Sequence, residues 1–124
     1  MASGRLSTHV LDTARGKPAA GVRIDLYRVS GNSHKKIKEV TTNHDGRTDE
    51  PMLLGDALTA GTYELVFYAG DYLRATGQAG AGQAGGDTLF LDQIPIRFGV
   101  PDAGAHYHVP LLISPFAYST YRGS

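Results

Sequence analysis

Apolar and polar residues alternate with period two along this chain, in short runs that clusters of turn-forming residues cut off. Period two is the spacing of a strand, whose successive side chains point to opposite faces; a helix would repeat every 3.6 residues. Leu6, Thr8 and Val10 fall on one face and Ser7, His9 and Leu11 on the other. Val22, Ile24 and Leu26 alternate against Arg23, Asp25 and Tyr27 in the same way, so one face of each run belongs in a core. Ile37 to Thr42, Gly61 to Tyr68, Leu89 to Val100, His106 to Ser114 and Ala117 to Tyr121 complete the main strands, and a short edge strand is expected near Met52-Leu53-Leu54. Pro95 favours an edge or bulge position, because proline cannot donate to a ladder. The breaks are Gly16 to Gly21, Ser30-Gly31-Asn32-Ser33 and Asn43-His44-Asp45-Gly46. Asp71 to Gln78, with Asp71 as a cap, is the one modest helical candidate. The Gly/Ala stretch at 79–86 reads as a surface loop, since glycine loses the most backbone freedom on ordering. Seven to eight short strands with turns between them predict an all-β antiparallel β-sandwich.

A chain of 124 residues is expected to form one domain, 1–124, large enough to fold without staples. It has no cysteine, which removes disulfides, thiol nucleophiles, zinc fingers and iron–sulfur ligation. Its formal net charge is zero and both signs are mixed along the chain, so no basic footprint for nucleic acid is present. No apolar run approaches a membrane span, and no secretory signal pattern opens the chain; a cytoplasmic location is expected.

The chemistry concentrates near the end. Tyr107, Val109, Leu111 and Ile113 share one large apolar face, which must enter the core. His106, His108, Pro110, Leu112 and Ser114 therefore share the outer face, as His9 does on the first strand. If Tyr118 and Thr120 face the core, Tyr121 looks outward too. Imidazoles suit proton transfer near neutral pH. Arg47, behind a tight turn, suits bidentate binding of a delocalised oxyanion. Leu11 and Leu112 make that outer face partly apolar, as on a surface covered by a partner. Blander readings stand beside these. Asp45-Gly46-Arg47 is also a plain hairpin turn followed by a solvated cation. His106-Tyr107-His108 has a spacing found in zinc sites, but no carboxylate or cysteine accompanies it in sequence. Ser119 and Ser124 lack the elbow motif of an activated serine.

Leu6-Ser7-Thr8-His9-Val10-Leu11-Asp12, then Asp45-Gly46-Arg47, then His106 to Pro115 running on to Tyr118-Ser119-Thr120-Tyr121-Arg122-Gly123-Ser124 resemble the transthyretin-like family. The likeness is specifically to its enzymatic branch, the 5-hydroxyisourate hydrolases. It spans Leu6 to Ser124, and the closing tetrapeptide is its most specific part. Transthyretin itself, a hormone carrier, is similar in fold but lacks these histidines and this ending. The stretch at 79–86 is longer than the family pattern. The resemblance implies a two-sheet sandwich with one short helix, assembled as a homotetramer (a dimer of dimers) with a channel between the dimers. It implies hydrolysis of 5-hydroxyisourate to 2-oxo-4-hydroxy-4-carboxy-5-ureidoimidazoline in urate breakdown, with no metal or organic cofactor. The site residues it implies are His9, Arg47 and His108 as catalytic groups, and Tyr121, Arg122, Gly123 and Ser124 as substrate-binding ones; His106 is a neighbour. The competing readings are a non-catalytic carrier of a small aromatic ligand, a structural sandwich module with incidental histidines, and a metal site on His106 and His108.

Overall fold

A computed structural model describes residues 3–78 and 88–123. The Gly/Ala stretch at 79–86 and the terminal Ser124, both singled out above, lie outside the described residues. The strands are β1 (Arg5–Asp12), β2 (Lys17–Pro18), β3 (Arg23–Ser30), β4 (Ser33–Thr41), β5 (Leu53–Leu54), β6 (Gly61–Tyr68), β7 (Gln93–Val100), β8 (His106–Ile113) and β9 (Tyr118–Thr120); among the described residues there is one α-helix, α1 (Ala69–Ala75), between β6 and β7, and one 3-10 turn, Gly55–Ala57, after β5. They form two sheets. One runs β2-β1-β8-β9, with β5 also paired to β1; the other runs β4-β3-β6-β7. The fold is the expected β-sandwich.

The inner faces follow the alternation. Leu6 and Val10 of β1 and Leu111 and Ile113 of β8 meet Ile24 and Leu26 of β3 and Leu65 and Phe67 of β6, all with no accessible surface. Burial of such side chains contributes roughly 1.5–3 kcal/mol each, which is what the period-two pattern encodes. Pro95 sits on β7, an edge strand, as its missing donor requires.

Four features depart from the pattern. β1 and β8 pair in parallel, the one parallel ladder among the described strands, with Ser7 opposite His108 and His9 opposite Pro110. The helix starts at Ala69, after Tyr68, so Asp71 lies in its first turn rather than capping it. Lys17-Pro18, inside a turn cluster, still pairs with Leu11 and Asp12. Asp25 falls on the outer face yet is 1% exposed, because Arg23, Lys36 and Tyr68 close over its carboxylate.

Candidate active site

The site is built where β1, β8 and the turn after β4 meet. Asn43 makes the turn. Its Oδ1 accepts from the backbone N–H groups of Asp45 and Arg47, and its carbonyl accepts from Gly46 N–H at 2.9 Å. Gly46 has φ +76°, and a Cβ there would stand 2.3 Å from the Val10 carbonyl oxygen. Both facts demand glycine. The turn was readable from sequence, but a hairpin does not follow it. Val10 N–H donates to the Gly46 carbonyl at 2.8 Å, and Arg47 bridges to His9, so the chain crosses to the other sheet. Arg47 is thereby delivered beside the outer face of β1.

His9 is fixed by the same turn. Its Nε2 lies 2.8 Å from the Asp45 carbonyl oxygen. A carbonyl only accepts, so Nε2 carries a proton and donates it. Among the described residues Nδ1 has no partner, and it is the nitrogen left for chemistry. His108 is held differently. Its Nδ1 is 2.8 Å from Ser7 Oγ, a contact set by the parallel register. Gly123 N–H donates to the His108 carbonyl at 2.7 Å, which lays the chain after β9 against the imidazole. A Cβ at 123 would come within 2.8 Å of His108 Cδ2. Burial lowers the pKa of His108 below its ordinary value, and the nearby positive charges of Arg47, His9 and Arg5 lower it further. The imidazole is therefore neutral at neutral pH and available as a base.

A groove of about 360 Å³ opens here, lined by Arg5, Ser7, Arg47, Thr48, Asp49, Glu50 and His108 among others. That volume suits a small heterocycle. Guanidinium groups beside a neutral imidazole can hold carbonyl oxygens while a water is deprotonated.

His9, Arg47, His108 and Gly123 thus converge. Tyr121 and Arg122 do not join them within this chain. They line a second groove, of about 260 Å³, with Ile96, Phe98, Tyr107 and Val109. The Arg122 guanidinium lies 4.5 Å from the Tyr107 ring centroid and donates to the His106 carbonyl at 3.1 Å. Tyr118 and Thr120 stand opposite Ile113 and Leu111, but β9 is a sheet edge and both are exposed. β9 ends at Thr120, so the alternation that predicted an outward Tyr121 does not extend to it. His106 Nε2 donates to the Ser3 carbonyl at 3.1 Å, apart from the ring contacts of His108. Ser7 and Arg5 were not anticipated. The alternation of β1 puts Arg5, Ser7 and His9 on one face, but only the parallel pairing shows which of them meets His108.

A family model described as the HIUase/Transthyretin family matches residues 6–123. The chain belongs to this family. It is 57% identical over 122 residues to the 5-hydroxyisourate hydrolase 2 of Rhizobium meliloti, covering 98% of each chain. It is 60% identical over 121 residues to the 5-hydroxyisourate hydrolase of Mesorhizobium japonicum, covering 98% of this chain and 93% of that one. Among solved structures, the 5-hydroxyisourate hydrolase of Klebsiella pneumoniae superposes with a TM-score of 0.75 at 34% identity, over 97% of this chain and 99% of that one. An (S)-allantoin synthase superposes with a TM-score of 0.89 at 46% identity, over 99% of this chain but 44% of that longer one. A sea bream transthyretin, at 24% identity and a TM-score of 0.81, shares the fold. Family membership accounts for the sandwich.

Proposed function

We propose that this protein is a 5-hydroxyisourate hydrolase, which opens 5-hydroxyisourate to 2-oxo-4-hydroxy-4-carboxy-5-ureidoimidazoline in urate breakdown. The observation that carries this is near-full-length identity above half with relatives of that name, in a chain whose His108 and Arg47 line one groove, with His9 bridged to Arg47 beside it. In the proposed reaction a water oxygen attacks a ring carbonyl carbon, and the adjacent ring C–N bond then breaks. The carbonyl becomes a carboxylate and the ring nitrogen leaves with a proton.

His108 is the base. A pKa held below the ordinary value keeps its imidazole unprotonated, so it can take the proton from the attacking water. Arg47 binds the carbonyl oxygen and opposes the negative charge that builds on it in the tetrahedral species. His9, with Nε2–H engaged by the Asp45 carbonyl, holds or protonates the ring nitrogen through Nδ1. Acid–base help of this kind is typically worth about 10²–10⁴-fold. Gly123 seats the His108 ring. Tyr121, Arg122 and Ser124 are the substrate-binding residues of the reading, and Tyr121 and Arg122 reach substrate in the assembled protein rather than in the lone chain. We read that assembly as a homotetramer, a dimer of dimers that stacks the outer faces of β1 and β8 across a channel. A cytoplasmic location fits this role; among the described residues no helix is long and apolar enough to cross a membrane.

The test is the absorbance decay of 5-hydroxyisourate, generated in place from urate by urate oxidase. Native protein at catalytic concentration is expected to accelerate the decay, and His108→Ala to lose most of that acceleration. A decay rate unchanged by native protein would turn the reading to a carrier; an undiminished His108→Ala would remove the assigned base.

A further inference from the structure

Ser7 is the only side chain among the described residues that hydrogen-bonds the His108 ring, with Oγ 2.8 Å from Nδ1. The contact is part-buried and is imposed by backbone, not by chance rotamers. The parallel ladder puts the two residues opposite each other, and Thr8, next to Ser7, ties its own hydroxyl to the Val109 carbonyl, next to His108, at 2.7 Å. On the other side a Cβ at position 123 would stand 2.8 Å from Cδ2, so Gly123 leaves no room for a side chain at that ring edge. The imidazole is thus held at Nδ1, while Nε2 has no partner among the described residues. Ser7 itself lines the groove.

We propose that Ser7 is a positioning residue: its oxygen accepts Nδ1–H of His108, which fixes the tautomer whose bare Nε2 is the base. This rests on the hydrolase reading above. A hydroxyl can donate or accept, so the opposite arrangement, Ser7 O–H donating to Nδ1, would leave a neutral His108 with its proton on Nε2 and no lone pair there. A base at Nε2 requires the first arrangement. The same choice leaves the Ser7 hydroxyl proton free to be donated into the groove.

The two arrangements predict opposite pH behaviour. An accepting Ser7 serves both neutral imidazole and imidazolium, and serves the charged form better, because charge-assisted bonds are stronger. Its removal then lowers the His108 pKa. A donating Ser7 serves the neutral form alone, and its removal would raise that pKa. The groups whose charge also bears on His108 are Arg5 and His9 on β1 and Arg47 after the turn, and Asp49 and Glu50 line the same groove. None is altered in the variants below.

Two measurements on native protein, Ser7→Ala and Ser7→Thr decide it. The first is the pH dependence of kcat and kcat/KM for 5-hydroxyisourate. For Ser7→Ala, kcat is expected to fall roughly five- to tenfold, the worth of one neutral hydrogen bond, with KM little changed. The acid limb of kcat/KM is expected to move to lower pH, and Ser7→Thr, which keeps the hydroxyl, to restore both. An acid limb that moves up or stays, or a threonine variant as impaired as alanine, would overturn the proposal. The second is the imidazole ¹⁵N spectrum of the free protein. The native spectrum is expected to show His108 protonated at Nδ1, with Ser7→Ala showing a mixture of tautomers; a native proton on Nε2 would overturn the proposal without reference to turnover. A native protein that fails to accelerate decay would instead remove the hydrolase reading, while the spectrum still decides what Ser7 does.

Discussion

A methyl group at position 123 would stand 2.8 Å from His108 Cδ2 and 3.3 Å from its Cβ and Cγ. Real side chains do not approach so closely, so either the ring or the chain after β9 must give way. The loss of the glycine is therefore felt at His108 rather than in the core. Gly123→Ala is expected to lower kcat by about ten- to a hundredfold, since small displacements of a reacting group are costly. Thermal stability should change little, because position 123 is peripheral to the packed interior. Native turnover in Gly123→Ala, or a large drop in melting temperature, would show that the contact is not what seats the imidazole. A glycine at 123 was visible in the sequence as part of a resemblance; its steric reason is visible only where the backbone passes the ring.

At the scale of elements, α1 shows how one buried carboxylate holds a helix too short to stand alone. Seven residues are well below the length at which an isolated helix persists. Tyr68 precedes it without a side-chain cap. Its anchor is Asp12, 1% exposed at the end of β1. Asp12 accepts from the Tyr72 hydroxyl at 2.7 Å, from Gln78 Nε2 at 2.8 Å and from Arg15 N–H at 3.0 Å. Burial pushes the Asp12 pKa up, but these bonds outweigh it and hold the carboxyl below its usual value; Tyr72 is pushed up to about 12 by burial and by the same carboxylate. A lowered folded pKa means stability that is fully present above the unfolded value, near 3.9, and lost as pH falls through the folded one. Asp12→Ala should cost about 2–4 kcal/mol, because it leaves buried donors unpaired. Denaturant unfolding at pH 7 and near pH 3 measures both effects: the variant's deficit should shrink on acidification, and a constant deficit would mean that the charge is not what binds the helix.

At the scale of the whole molecule, the outer face of β1 and β8 carries His9 and His108 beside half-buried Leu11 and Leu112. Sedimentation should find a tetramer, and Leu112→Glu should shift it to smaller species with loss of turnover. A fully active monomer would mean that the site needs no partner, and would leave Tyr121 and Arg122 without a role in catalysis. What could be read from residues alone was whatever local spacing encodes. Alternation in Val22 to Val29 and His106 to Ile113 is a property of neighbouring residues, so strands, inner faces and outward histidines were legible. The turn at Asn43-His44-Asp45-Gly46 was legible for the same reason. The parallel register of β1 on β8 was not, because nothing in a strand's own pattern names its partner or direction. That register alone brings Ser7 to His108. The course of Arg47 across to β1, the cover over Asp25 and the place of Asp12 beneath α1 were likewise decided by packing between segments distant in the chain. Local period thus sets the layers and the chemical groups on their faces, whereas packing sets which of those groups touch, because contact between distant segments depends on pairing and crossing.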